Sequence, residues 1–244
     1  MVSIIGYGAM AKAILQGLLR HGIEVEVVGR DEEKLQKIQK EFHISVQSLQ
    51  NYDITDKTII LAVKPYALKD VANQVKGKAE LLISILAGIS LNKLYKIPAQ
   101  KYVRAMPNLA AIKQASITAI TGDRDKRAIE LIEKIGKVVW VENEKELDIA
   151  TAIAGSGPAF LALAAEAMAD GGVLCGLKRD IAYELVSGLF QSYAAISEKH
   201  PALIKDKVMS PAGTTAAGYK ALEENGVRNG FMEAILQAFK RTQQ

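Results

Sequence analysis

The sequence predicts an α/β chain: a mostly parallel sheet with helices on both faces, followed by an all-α domain. Three observations carry this. Val2-Ser3-Ile4-Ile5 is an apolar strand that runs straight into Gly6-Tyr7-Gly8-Ala9-Met10-Ala11, and a helical pattern (Met10, Ile14, Leu15, Leu18, Leu19) begins at once. Apolar runs then alternate with helical patterns, which builds a parallel sheet wrapped by helices. Beyond Val141 no strand pattern recurs, and the chain reads as helices to its end.

Composition sets the bounds. The 244 residues, 49% hydrophobic and 24% charged, suffice for one large or two modest domains with a sizeable core. The net charge of +4 comes from lysines and arginines interspersed with acids, so no nucleic-acid-binding stripe is expected. The single cysteine, Cys175, permits no internal disulfide, fits a reducing cytoplasmic setting, and reads as a core residue from its apolar context. No targeting segment is expected ahead of the first strand. The uncharged run from Ile149 to Ala165 is short for a bilayer span and contains Gly155, Gly157 and Pro158, so a buried helix is expected there rather than a membrane one.

Taken in order, the first element is a βα unit with the pattern G-x-G-x-x-A. Gly6 permits a tight turn, Gly8 lets backbone approach a diphosphate, and Ala11 is small enough for the helix to lie on the strand. The diphosphate of a dinucleotide would then meet the unpaired N–H groups of the helix N-terminus. Residues 24–28 form the second strand, ending at Gly29-Arg30-Asp31. Arg30 is placed for a ribose 2′-phosphate and Asp31 for capping the helix Glu32 to Glu41. NADP(H) is therefore the expected cofactor, with NAD(H) as the alternative.

Further strands are predicted at 59–63, 81–85 and 102–105, with a helix over 66–75. Their carboxyl ends carry Ala62-Val63-Lys64-Pro65, Ala87-Gly88 and Met106-Pro107-Asn108, the sheet edge at which open α/β folds bind ligands. Two more strands, 115–121 and 137–141, flank a helix over 125–135. The polar stretch from Glu142 places the domain boundary at residues 143 and 144. Helix breaks are expected at Gly155–Pro158, Gly171-Gly172, Gly176, His200-Pro201 and Ser210–Gly213. A helical half so rich in alanine cannot hide its apolar surface alone, which predicts a homodimer or a larger assembly of dimers.

In this order the motifs resemble the pyrroline-5-carboxylate reductase family. They are Gly6–Ala11, Ala62–Pro65, Ala87-Gly88, Met106–Asn108, Gly155-Ser156-Gly157-Pro158-Ala159, Asp170-Gly171-Gly172-Val173, His200-Pro201 and Ser210-Pro211-Ala212-Gly213-Thr214-Thr215. The resemblance implies a Rossmann domain (1–143), a helical dimerisation and substrate domain (144–244), and reduction of a cyclic imine to L-proline. It also implies an active site shared with helices of the partner. By resemblance Thr215 hydrogen-bonds the ring nitrogen, while Ser210, Gly213, Thr214 and Ser156 bind the substrate. The family pattern has glycine where this chain has Ala212, and proline where it has Lys178.

The chemistry suits this poverty of titrating groups. No Cys/His cluster suggests a metal, and none of His21, His43 and His200 lies near a matching nucleophile or acid pattern. A protonated C=N is already electrophilic, so orientation is the protein's main task. A β-hydroxyacid dehydrogenase, the enzymatic rival on a similar scaffold, looks to a lysine on the helix after its cofactor domain. Here no Lys, Arg or His occurs from Glu146 to Leu177. Another imine or ketone reductase, and a non-catalytic NADP-binding protein, are the remaining alternatives.

Overall fold

A computed structural model describes residues 1–243. Two compact units form: Met1–Ser156 with the residues from Ala238 onward, and Gly157–Gln237.

The first unit runs β1 (Val2–Ile5), α1 (Ala9–Arg20), β2 (Val25–Gly29), α2 (Glu32–Phe42), β3 (Ser45–Ser48), β4 (Tyr52–Asp53) and β5 (Thr58–Leu61). It continues with α3 (Leu68–Gln74), β6 (Val75–Lys76), β7 (Ala79–Ser84), α4 (Leu91–Leu94), β8 (Ala99–Met106), β9 (Ser116–Gly122), α5 (Lys126–Glu133), β10 (Gly136–Trp140) and α6 (Glu144–Ala150). Short 3₁₀ turns occupy Pro65–Ala67 and Leu109–Lys113. Eight strands make one sheet in the order β10-β9-β8-β7-β5-β1-β2-β3, and β4 pairs with β6 apart from it.

Every neighbouring pair is parallel except β8 with β9. Parallel neighbours need a crossover of about a dozen residues or more. Between β8 and β9 there is little more than the 3₁₀ turn Leu109–Lys113, so the strand folds straight back. Alternate residues serve opposite faces. Ile4, Ile60 and Ile83 pack with Ile14, Leu18, Ile38 and Ile132 on one side, while Ile5, Ile59, Leu61 and Leu82 pack with Leu68, Val71 and Leu94 on the other. Buried Arg104 on β8 ties in α6: its Nη1 donates to Glu144 at 2.8 Å and its Nη2 stands 3.6 Å from Asp148.

The second unit contains α7 (Gly157–Leu174), α8 (Arg179–Ile196), α9 (Pro201–Val208), α10 (Thr214–Glu224) and α11 (Val227–Thr242), whose end returns to the first unit. Its buried cluster is small: Ala169, Ala182 and Val186. Leu161, Leu163, Leu174, Leu185, Leu189 and Leu236 are all exposed.

Four readings of the sequence need correction. Gly155–Pro158 does not break the helix. The turn Thr151–Gly155 is π-helical, with Ser156 N donating to Thr151 O at 3.2 Å, and the helical stretch continues. Glu144–Leu174 is consequently long and apolar enough to cross a membrane by length and composition, with a mean hydropathy of 1.5. Within this chain it is largely uncovered, with Ile153, Leu161 and Leu163 exposed, instead of the buried helix expected there. Gly171 and Gly172 also lie inside α7. A Cβ at Gly172 would stand 3.4 Å from the Ala182 methyl, so glycine serves the close approach of α8. Finally Cys175 is exposed, because the apolar residues around it belong to an uncovered helix face and not to a core.

Candidate active site

The strand order reverses at β1: the chain moves from β1 to β2 and β3 on one side, then through β5, β7 and β8 on the other. In open α/β sheets such a switch leaves a crevice beyond the carboxyl ends of the strands. A cleft of about 690 Å³ lies there. Gly6–Ala11, Arg30, Ala62–Pro65 and Ala87 line it, and so do Lys34, Tyr66, Leu109 and Ile112, which the sequence reading did not single out. Gly88 and Asn108 are not among its lining residues. Asn108 is instead buried; its side chain accepts from Ala110 N at 3.1 Å and donates to Ala154 O at 3.0 Å.

Gly6 and Gly8 have different reasons to be glycine. Gly6 sits at φ +122°, and a Cβ there would be 2.4 Å from the Ala62 carbonyl oxygen. The protein's own backbone forbids a side chain. Gly8, at φ −72°, could carry a Cβ with nothing within 4 Å of it. The space before Gly8 belongs to the cleft, and no side chain caps α1, which begins there. Free backbone donors facing an open crevice fit a diphosphate.

The far end of the cleft is cationic. Arg30 Nη1 donates to Asp70 on α3 at 3.0 Å. Lys34 lies 3.0 Å from Asp31 and 5.7 Å from the Tyr7 ring centroid. Asp31 also accepts from Lys34 N at 3.0 Å, capping α2; these backbone and side-chain hydrogen bonds hold its carboxyl below the ordinary range. The signal for Lys34 was present in the sequence: it lies on the first turns of the helix that Asp31 caps, directly after Arg30.

Beneath the cleft, at the start of the strands, lies a buried polar knot. Glu26 Oε1 on β2 accepts from Ser3 Oγ at 2.8 Å, from Lys57 Nζ at 3.0 Å and from the Tyr52 hydroxyl, which itself accepts from Lys57 at 2.8 Å. Burial works to raise the Glu26 carboxyl, but these donors outweigh it and hold the group below the ordinary carboxylate range. Burial and the bond to Glu26 push the Tyr52 hydroxyl up.

In the second unit the loop Ser210–Thr215 leads into α10. Gly213 N donates to Ser210 O at 3.1 Å, and a Cβ on Gly213 would stand 2.3 Å from Ser210 Oγ. Ala212 is held at φ +56°, the left-handed region that glycine adopts most readily. Thr214 and Thr215 open α10, the first exposed and the second half-buried, and no side chain caps that helix. Ser156 is half-buried, immediately after the π-helical turn.

Comparison with known proteins covers both halves. Residues 144–244 match the family described as pyrroline-5-carboxylate reductase dimerisation. Residues 1–88 match the one described as NADP oxidoreductase, coenzyme F420-dependent. A pyrroline-5-carboxylate reductase of Synechocystis sp. is 40% identical, over 100% of this chain and 97% of its own length. Among solved structures, the enzyme of that name from Streptococcus pyogenes is 30% identical with a TM-score of 0.87, covering 99% of this chain and 97% of its own. The pyrroline carboxylate reductase of Plasmodium falciparum, solved with NADP bound, is 27% identical with a TM-score of 0.82, covering 99% and 98%. With both halves matched and relatives aligned from end to end, the chain belongs to the pyrroline-5-carboxylate reductase family.

Proposed function

We propose that this protein reduces the C=N bond of 1-pyrroline-5-carboxylate to give L-proline, the last step of proline biosynthesis, with NADPH as the preferred reductant. The observation that carries the reading is the full-length, 40% identical match to a protein of that name. The reduced nicotinamide, when bound, supplies the hydride that reaches the imine carbon.

The chain's own residues bind and orient. Gly6–Ala11 and the start of α1 take the diphosphate, and Arg30 takes the 2′-phosphate that distinguishes NADPH from NADH. Ala62–Pro65 and Ala87, which line the cleft, complete the cofactor's surroundings, while Gly88 and buried Asn108, outside that lining, shape the turns behind it. The open N-terminus of α10, with Ser210, Gly213 and Thr214, receives the substrate carboxylate, and Ser156 contributes a further contact. The Thr215 hydroxyl hydrogen-bonds the ring nitrogen as it becomes an amine. The cofactor domain is 1–143, and 144–244 both binds substrate and joins two copies as a cytoplasmic homodimer. The apolar helix face left exposed around Leu161 and Leu189 supports that pairing.

A spectrophotometric assay of NADPH oxidation with pyrroline-5-carboxylate tests the reading. Turnover with the imine carboxylate, and a kcat/KM for NADPH above that for NADH, are expected. No oxidation overturns the activity, and a strong NADH preference overturns the role of Arg30.

A further inference from the structure

Arg30 does not face the cleft as a free cation. It lies at the carboxyl end of β2, and its Nη1 donates to Asp70 Oδ2 at 3.0 Å, across to the first turn of α3. Both side chains are about half exposed, at 53% and 52%. Lys34, the other cation lining this end of the cleft, is likewise held by an acid, Asp31. The cations line the cleft and neither acid does. The two acids are not equivalent, because Asp31 also caps α2 through Lys34 N. Asp70 has no such second bond: among the described residues, its side chain makes one hydrogen-bonded ion pair, the one with Arg30.

We infer that Asp70 is a specificity-determining residue that competes with the nucleotide's 2′-phosphate for Arg30, and so weakens the preference for the phosphorylated cofactor. A 2′-phosphate that engages Arg30 has to replace the carboxylate or share the guanidinium with it. Two like charges on one cation repel, in a solvated place where the ion pair itself is weak enough to open. A nucleotide with a bare 2′-hydroxyl brings no such charge and leaves the pair closed. Asp70 thereby keeps the site open to both nucleotides, although Arg30 favours one. This rests on the reading of Arg30 as the 2′-phosphate partner.

Titration calorimetry with 2′,5′-ADP and 5′-AMP as probes separates the two ideas without any turnover. Asp70→Asn, isosteric and on the surface, is expected to bind 2′,5′-ADP about three- to tenfold more tightly than the parent, in keeping with the modest strength of exposed ion pairs. Its affinity for 5′-AMP should not rise, and the gain should shrink as salt is added. Arg30→Ala should lose the discrimination between the probes. If the parent discriminates and Arg30→Ala does not, yet Asp70→Asn leaves 2′,5′-ADP binding unchanged or weaker, the competition is refuted while Arg30 keeps its role. If neither the parent nor Asp70→Asn discriminates between the probes, or if Arg30→Ala still does, the reading of Arg30 fails and this inference with it.

Discussion

Single residues divide cleanly between holding the fold and facing a ligand, and the two glycines of the first turn make the division testable. Gly6→Ala would drive a methyl group into the Ala62 carbonyl at a positive φ, and should destabilise the protein by roughly 2–4 kcal/mol in urea unfolding. Gly8→Ala meets open space, so it should unfold within about 1 kcal/mol of the parent yet bind NADPH far more weakly by fluorescence titration. Thr215→Ala should lower kcat by about ten- to a hundredfold with little change in melting temperature, the scale of one positioned donor, and Thr215→Ser should recover much of it. The glycine pattern was legible in the sequence because its spacing is fixed by backbone geometry. Asp70 was not, since its relation to Arg30 depends on how α3 folds back beside β2, whereas Lys34 could have been read from its place on the helix that Asp31 caps. At position 212 the departure from the family's glycine was visible, and the structure supplies its meaning: an alanine occupies the left-handed conformation itself.

At the scale of elements, β1, β2 and β5 owe their shared register partly to the knot of Ser3, Glu26, Tyr52 and Lys57. Glu26→Gln should cost about 2 kcal/mol at neutral pH, because it leaves Lys57 and Tyr52 without the charge they surround. The folded-state carboxyl is depressed relative to the ordinary 4.5, so its contribution is complete above that value and is lost as pH falls through the folded pKa. Urea melts from pH 7 downward should therefore show the gap between parent and variant closing below about pH 4.5. The central strands were legible because they are continuous apolar runs buried on both faces. The edge strand β3 has one apolar residue, Val46, and β4 and β6 are two residues long, so no periodicity could reveal them. The reversal at β9 followed from the shortness of its connection, a tertiary consequence that local pattern does not carry.

For the molecule as a whole, the contrast lies between the two units. The first buries isoleucines and leucines on both faces of its sheet, whereas the second buries chiefly two alanines and a valine. Light scattering at micromolar concentration should accordingly give a mass above the 26.4 kDa of one chain. Replacing Leu185 and Leu189 together by lysine should shift the mass toward one chain, or make the protein precipitate, while the first unit still binds nucleotide. The helical half was legible as apolar and alanine-rich, but its uninterrupted course through Gly155 was not, because a π-helical turn leaves no separate mark in composition. The bareness of α7 and α8 has a practical outcome for anyone who works with the enzyme. If copies must meet to shelter those leucines, then activity per milligram should fall in very dilute stocks. It should recover on concentrating the sample, so that specific activity becomes a reading of how many chains have found one another.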